Sequence, residues 1–291
     1  MSGHSHVFLG ERHDHNARRT RWVVALTAAM MVAEIIAGQA FNSMALLADG
    51  FHMATHAGAL AVAAAAYAFA RKYAEDPRFA FGTGKVGDLA GFASALVLAV
   101  ISLGIGVESV SRLLDPRPVA FLEATVVAVI GLGVNLASAL LLSEGQGHHH
   151  DHHHHHDHDN NRRAAFAHVM ADALTSVLAI VALLAGRYLN WLWLDPAIGI
   201  VGAVVIAFWA RGLLRDTAAV LLDTTDPHLE AEVREQVETP GDARITDLHI
   251  WRIGPGAHAA IVSVAGTADA GEIRRRLVPV HELAHLTVEA R

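Results

Sequence analysis

Six long apolar stretches constrain the fold of this 291-residue chain more than any other feature. A bilayer core about 30 Å thick is spanned by about 20 helical residues, and each stretch reaches that length with few ionisable groups. The stretches are continuous runs of Ala, Leu, Val and Ile rather than alternating apolar and polar residues, which predicts helices rather than barrel strands. The predicted spans are 21–41, 44–70, 86–114, 120–142, 164–189 and 193–214.

The chain is predicted to have three parts. Residues 1–20 form a polar tail, 21–222 the six-helix transmembrane domain and 223–291 a small α/β domain. In the last part, periodicity predicts helices and strands in the order helix, strand, strand, helix, strand. These elements are expected at 227–237, 244–253, 257–265, 270–277 and 284–290. Asp226 followed by Pro227 is typical of a helix start.

Basic residues predict the orientation of the spans. Twelve Arg and Lys residues flank one side of the predicted helices and three flank the other. Both termini and the loop between spans four and five are therefore expected in the cytoplasm. Because residues 1–19 are polar and lack an apolar segment before a cleavage site, they do not resemble a secretory signal peptide.

Composition excludes several kinds of site. Without cysteine there is no disulfide, thiolate metal site or cysteine nucleophile, and a net charge of −7 argues against nucleic-acid binding. The 21 histidines are unusual in an apolar chain. Since histidine is the commonest protein metal ligand, they indicate metal handling in or at a membrane.

Ionisable residues inside two predicted spans carry the sharpest hypothesis. His52 and His56 are four residues apart in the second span, and His168 and Asp172 are four apart in the fifth. This spacing places each pair on one helical face, and ionisable groups in lipid normally mark a substrate or proton pathway. Three imidazoles and one carboxylate match the four ligands of a first-row divalent ion. Asp49, three residues before His52, is either a fifth ligand or an outer partner that orients His52.

A histidine-rich run lies between spans four and five. Its composition prevents it from burying an apolar face, so 144–161 is predicted to be a disordered loop. We expect weak metal collection here rather than an inert linker. The histidines concerned are His148, His149, His150, His152, His153, His154, His155, His156 and His158.

The C-terminal part contains a competing motif. His281, Glu282 and His285 match the H-E-x-x-H pattern of zinc metalloproteases, which requires a helix. The residues that follow alternate like a strand and supply no third ligand, so a protease is the weaker alternative. The simpler alternative is that the motif is an ordinary solvent-exposed entry to a strand.

At these positions the chain resembles the cation diffusion facilitator family of metal transporters, and the resemblance covers almost its whole length. It rests on Leu46-Leu47-Ala48-Asp49-Gly50-Phe51-His52, Arg78-Phe79-Ala80-Phe81-Gly82, Glu108-Ser109 with Arg112, His168-Val169-Met170-Ala171-Asp172 and Asp247-Leu248-His249-Ile250-Trp251. The resemblance implies a metal site from spans two and five, a histidine-rich loop and a metallochaperone-like cytoplasmic domain that forms a homodimer. It also allows a regulatory metal site at the dimer interface of that domain, formed by His249, His258, His281 and His285. Zinc-carrying members usually have an acidic residue where this chain has His56, so the site is similar to that of the cobalt and nickel branch.

We therefore expect a transporter in a bacterial-type inner membrane rather than an enzyme. This transporter is expected to need no cofactor. It would export Co²⁺ or Ni²⁺, with Zn²⁺ also possible by ligand type, in exchange for protons. A zinc-selective exporter of the same family is the alternative, and a membrane-bound metal store based on the histidine-rich loop is the third hypothesis. The expected partners are the lipid bilayer, protons and a second copy of the chain, with no nucleic acid.

Overall fold

A computed structural model describes residues 11–143 and 157–290, apart from the side chains at 11–24, 56, 57, 59, 60, 139, 141–143 and 157–172. Six long helices come first, and a small α/β tail follows. The helices are α1 (Glu11–Ala40), α2 (Met44–Lys72), α3 (Val86–Leu114), α4 (Phe121–Ser143), α5 (Asp157–Leu189) and α6 (Leu194–Leu221).

Two helices extend beyond their predicted spans. α1 begins ten residues before the first predicted span, and α5 begins at Asp157, inside the loop predicted to be disordered. The disorder prediction is therefore wrong for 157–161, while 144–156 lie outside the described residues. Apolar length marks only the part of a helix that matches the bilayer core, and polar residues continue the same helix beyond it.

Three helical segments in the described part of the chain are long and apolar enough to cross a membrane: Val86–Leu114, Phe121–Ser138 and Leu194–Leu221. Ala25–Ala40 and Ala173–Leu189 are shorter apolar helical segments. Many large apolar side chains on these helices are exposed, including Val100 and Leu103. A surface of this kind suits lipid rather than water.

The tail contains α7 (Pro227–Glu238), β1 (Ala243–Gly254), β2 (Ala257–Gly266), α8 (Ala270–Arg276) and β3 (Leu283–Ala290). The Asp226 carboxylate accepts hydrogen bonds from the backbone of His228 and Leu229, which makes it the N-cap of α7. The strand order is β1-β2-β3, with β1 antiparallel and β3 parallel to β2. The element order and type follow the sequence prediction, and the bounds differ by one residue.

The chain divides into two compact units, Met1–Gly58 with Leu98–Phe208, and Ala59–Val97 with Trp209–Arg291. The first contains three apolar clusters between helices, in which alanine is the commonest buried residue. The second contains the tail core of Val, Ile and Leu side chains from both tail helices and all three strands. The predicted metal-site residues of α2 up to His56, and those of α5, belong to the first unit.

Candidate metal site

The first half of the candidate site lies on α2. Asp49 and His52 are 3% and 4% exposed, although both side chains are polar. Burial of such groups is costly unless other groups or a ligand satisfy them. The predicted ionisable face of α2 is therefore directed into the protein at these two positions.

A small cavity adjoins Asp49 and His52. Its volume is about 30 Å³, which is enough for a water molecule or a single metal ion. α2 contributes one wall, and α5 and α6 contribute the others. The lining residues are Ala45, Ala48, Asp49, His52, Thr175, Leu178, Ile198, Val201, Gly202 and Val205.

A hydrogen bond connects α2 to α5 at this level. The Ser176 hydroxyl, fully buried, donates to Asp49 Oδ2 across 2.7 Å. Sequence analysis missed Ser176, although it lies four residues after Asp172 and therefore on the same helical row. A serine in an apolar helix is too common to be identified as a site residue without its partner.

The apolar contacts show that α2 and α5 run antiparallel in the first unit. Ala45 belongs to one cluster with Ala179 and Ala182, and Leu46 to another with Leu183. Further along α2, Asp49 meets Ser176. The start of α2, at Ala45 and Leu46, thus packs against residues 179–183 of α5, whereas Asp49 further along α2 reaches the lower-numbered Ser176, as antiparallel packing requires.

The remaining predicted ligands lie outside the described side chains. His56 is in α2, and His168 and Asp172 are in α5. Of the loop histidines, 148–156 lie outside the described residues, and His158 is in α5 without a described side chain. Among the residues that are described, no three His, Asp or Glu side chains come together to hold a metal.

Glu34 of α1 is a second buried carboxylate in the same unit. It is fully buried, and neither of its oxygens has a hydrogen-bond partner among the described residues. The absence of a side chain at Gly131 makes room for it, since a Cβ there would lie 1.8 Å from Glu34 Oε1. Its position between helices agrees with a polar group facing the protein interior.

The surroundings of three of the four tail histidines are described. His249 lies 3.2 Å from the Asp247 carboxylate and is 63% exposed. His258 pairs with Leu283 across the sheet, and its Nδ1 is buried. The His285 ring stacks edge-on against Phe81 at 5.6 Å. A shared metal site for these residues stays a prediction.

The H-E-x-x-H motif does not adopt the geometry of a protease. His281 and Glu282 are in a turn, and β3 begins at Leu283, so the two histidines are not on one helix. A zinc protease site needs both on the same helical face. The metalloprotease alternative is therefore wrong.

Comparison with known proteins identifies the family of this chain. Residues 21–222 match the model of the cation efflux transmembrane domain. The chain belongs to the cation efflux, or cation diffusion facilitator, family. It is similar to the zinc transporter ZitB of Pectobacterium atrosepticum, with 34% identity over 98% of this chain and 87% of the relative.

Two further relatives of this family have names that are not restricted to zinc. The metal cation efflux system protein CzcD of Cupriavidus metallidurans is 32% identical over 96% of this chain and 89% of its own length. The cadmium, cobalt and zinc/H(+)-K(+) antiporter of Bacillus subtilis is 31% identical over 94% of this chain and 88% of its own length.

Membership settles the class of activity. The chain is an integral membrane protein that exports metal cations, and it is not an enzyme. Proteins of this family use no cofactor, because the metal is the cargo. The expectation of a metal transporter is confirmed at this level.

Proposed function

We propose that this protein exports Co²⁺ or Ni²⁺, with Zn²⁺ as a further substrate, from the cytoplasm in exchange for protons. The metal would bind His52, His56, His168 and Asp172 within the membrane. The observation that carries this proposal is the Ser176 to Asp49 hydrogen bond between antiparallel α2 and α5.

Helical spacing extends that contact to the other ligands. Antiparallel helices advance at the same rise per residue, so one turn beyond Asp49 on α2 corresponds to one turn before Ser176 on α5. By this step the position of His52 would be opposite that of Asp172. By a second turn the position of His56 would be opposite that of His168. The two pairs would then lie one helical turn apart, which supports a four-ligand site.

Proton exchange follows from the ligand chemistry. Imidazole binds metal only when neutral, so metal binding releases protons and protonation releases metal. Near-neutral cytoplasm would favour loading, and protons from the other side would favour release. Histidine titrates in the pH range where such a gradient acts.

The preferred metal has two candidates. Three imidazoles and one carboxylate suit Co²⁺, Ni²⁺ and Zn²⁺ and disfavour Mn²⁺ and Mg²⁺. A histidine at position 56 favours Co²⁺ and Ni²⁺, because the site then resembles that of the cobalt and nickel branch of the family. Zinc is the second candidate because relatives of this chain are named as zinc transporters.

Asp49 has a second role available besides ligation. Its hydrogen bond from Ser176 supports an outer position that orients His52, because such partners commonly fix the rotamer of a ligand. If Asp49 is instead the fifth ligand, the hydrogen bond from Ser176 would orient Asp49 itself.

The surrounding assembly is also proposed. Both termini would lie in the cytoplasm at a bacterial-type inner membrane, with the tail forming a homodimer. The histidine-rich loop would collect metal weakly, and His249, His258, His281 and His285 would be the residues available for a regulatory metal.

The test uses sealed vesicles that contain the protein and hold a pH gradient. His52→Ala is expected to lower Co²⁺ and Zn²⁺ accumulation at least tenfold, since loss of one ligand weakens the site directly. Ser102→Ala is the matched control, because Ser102 is buried and its hydroxyl donates to the Ala99 carbonyl of its own helix. Unchanged accumulation by His52→Ala would show that the proposed site is wrong.

Deletion of 148–158 separates transport from storage. We expect the deletion to change the apparent metal affinity and to leave export active. Complete loss of export in a correctly folded deletion variant would instead make the loop the main metal site.

A further inference from the structure

The first turn of α2 is held by a carboxylate from α6. Asp195, 1% exposed, accepts a hydrogen bond from the Ser43 hydroxyl across 2.6 Å. It also accepts from the backbone N–H of Met44 at 2.8 Å and of Ala45 at 3.2 Å. The three donors come from consecutive residues, about 150 positions away from their acceptor in the sequence.

Ser43 completes this arrangement. Its hydroxyl oxygen accepts from the backbone N–H of Leu46 at 3.1 Å. The first three N–H groups of α2 therefore all have side-chain acceptors. Such groups have no partner within the helix, and leaving them unpaired in a buried place is costly. A negative charge at this end also interacts favourably with the helix dipole.

The close approach of α2 and α6 continues from this end toward the cavity. A Cβ on Gly199 would lie 2.7 Å from the Met44 Cβ, and one on Gly202 would lie 2.7 Å from the Ala48 Cβ. Val205 and His52 then line the same cavity. Residue numbers rise together on both helices, so α2 and α6 run parallel and in register over this length.

We propose that Asp195 is a positioning residue for metal transport, which fixes the height and rotation of α2 and thereby sets where Asp49 and His52 stand. The inference rests on the proposed function, since it assigns Asp195 a role through His52. His52 lies eight residues after Met44, or about 12 Å along the helix. Because each residue turns a helix by about 100°, a small slip at its first turn would redirect both side chains.

Asp195→Asn is the main test variant. The amide has nearly the same shape, but it directs N–H donors at the N–H donors of α2. A positioning role predicts weaker metal binding, so the metal concentration at half-maximal transport should rise on the order of tenfold. The measurement is Zn²⁺ and Co²⁺ transport by the purified full chain in proteoliposomes, with direct metal titration in detergent.

A merely structural role gives a different result. Fewer folded molecules would lower the maximal rate and leave the half-maximal concentration unchanged, and this outcome would overturn the proposal. Ser43→Ala removes one of the three bonds to Asp195, together with the acceptor for the Leu46 N–H, and should shift the half-maximal concentration in the same direction by a smaller factor. It keeps the test available if Asp195→Asn does not fold.

A double variant separates this inference from the proposed site. If Asp195 acts by positioning the ligands of α2, the combined loss of metal affinity in the double variant Asp195→Asn/His52→Ala should be clearly smaller than the product of the two single losses. Additive losses would overturn the positioning role while leaving the site intact. An unchanged affinity in His52→Ala alone would instead contradict the proposed site.

Discussion

The helical region and the tail pack their interiors with different side chains. Between the long helices the buried apolar residues are mostly alanines, whereas large apolar side chains such as Leu103 point outward. In the tail, Val, Ile and Leu fill the core. Among the described tail residues, Val278 is the large apolar side chain that remains exposed.

The solvent explains this difference. Water drives large apolar groups together in the tail. Lipid gives no comparable drive between helices, so small residues permit the close contacts that hold them. The helical region can therefore keep polar groups such as Asp49 and Asp195 inside, where neighbouring helices supply their hydrogen bonds.

The tail core offers the largest expected change in stability. Val262 is fully buried, and Val262→Asp places a charge there without a partner. We expect a loss of about 3–5 kcal/mol in the free energy of unfolding of the tail, measured by thermal unfolding and limited proteolysis of the full-length protein. Val278→Asp at an exposed position should stay within about 0.5 kcal/mol of the wild type.

The same exchange on the outside of α3 tests whether lipid covers it. Leu103 is 69% exposed, close to the 70% of Val278. If lipid covers Leu103, Leu103→Asp should cost about 2.5–3.5 kcal/mol of insertion free energy. The measurement is the yield of membrane-inserted protein. A yield equal to that of wild type would mean that Leu103 faces water or a polar surface.

Small residues between helices give a smaller effect. Gly202→Val would bring side-chain atoms into contact with Ala48, so we expect a loss of about 1–3 kcal/mol in helical-region stability. Thermal unfolding in detergent measures it. Gly104→Val is the control, because a Cβ placed there would have no atom of another helix within 4 Å among the described residues. Equal losses in both variants would contradict close packing as the cause.

The smallest expected effect is a pH dependence in the tail. Arg276 donates to both Asp242 oxygens, at 2.7 and 2.8 Å, and lowers the pKa of that carboxyl below its ordinary value of 3.8. A carboxyl whose pKa is lowered by folding stabilises the fold above its unfolded pKa. This contribution is lost as the pH falls below about 3.8 toward the lowered pKa.

Asp242→Asn should therefore flatten that part of the stability profile. Thermal unfolding temperatures between pH 2 and pH 5 measure the difference. A profile identical to that of wild type would show that Asp242 does not contribute through its ionisation.

Sequence periodicity predicted much of the fold. In lipid and in water, the side of a helix or strand that is apolar is determined by residues close together in the sequence. The tail elements and the cap at Asp226 follow from neighbouring residues. The parallel pairing of β3 with β2 does not, since register depends on contacts between distant segments.

The candidate site likewise contains residues that the sequence predicted and residues that it did not. Helical spacing placed Asp49 and His52 on one face, and both are buried. Ser176 and Asp195 could not be found by spacing, because their partners lie more than a hundred residues away. The sequence does show that Asp195 is an acidic residue at the start of an apolar helix, which marks it as a candidate functional residue. The sequence does not show which hydrogen-bond donors the carboxylate contacts.

Metal and protons are proposed to exchange at a site formed by α2 and α5. Metal uptake by sealed proteoliposomes, with a pH gradient imposed or collapsed, tests this exchange for the wild type and for His168→Ala. We expect the gradient to accelerate Co²⁺ and Zn²⁺ uptake by the wild type and His168→Ala to abolish this uptake. Equal uptake by both proteins, or a wild-type rate that does not respond to the gradient, would show that the exchange does not occur at this site.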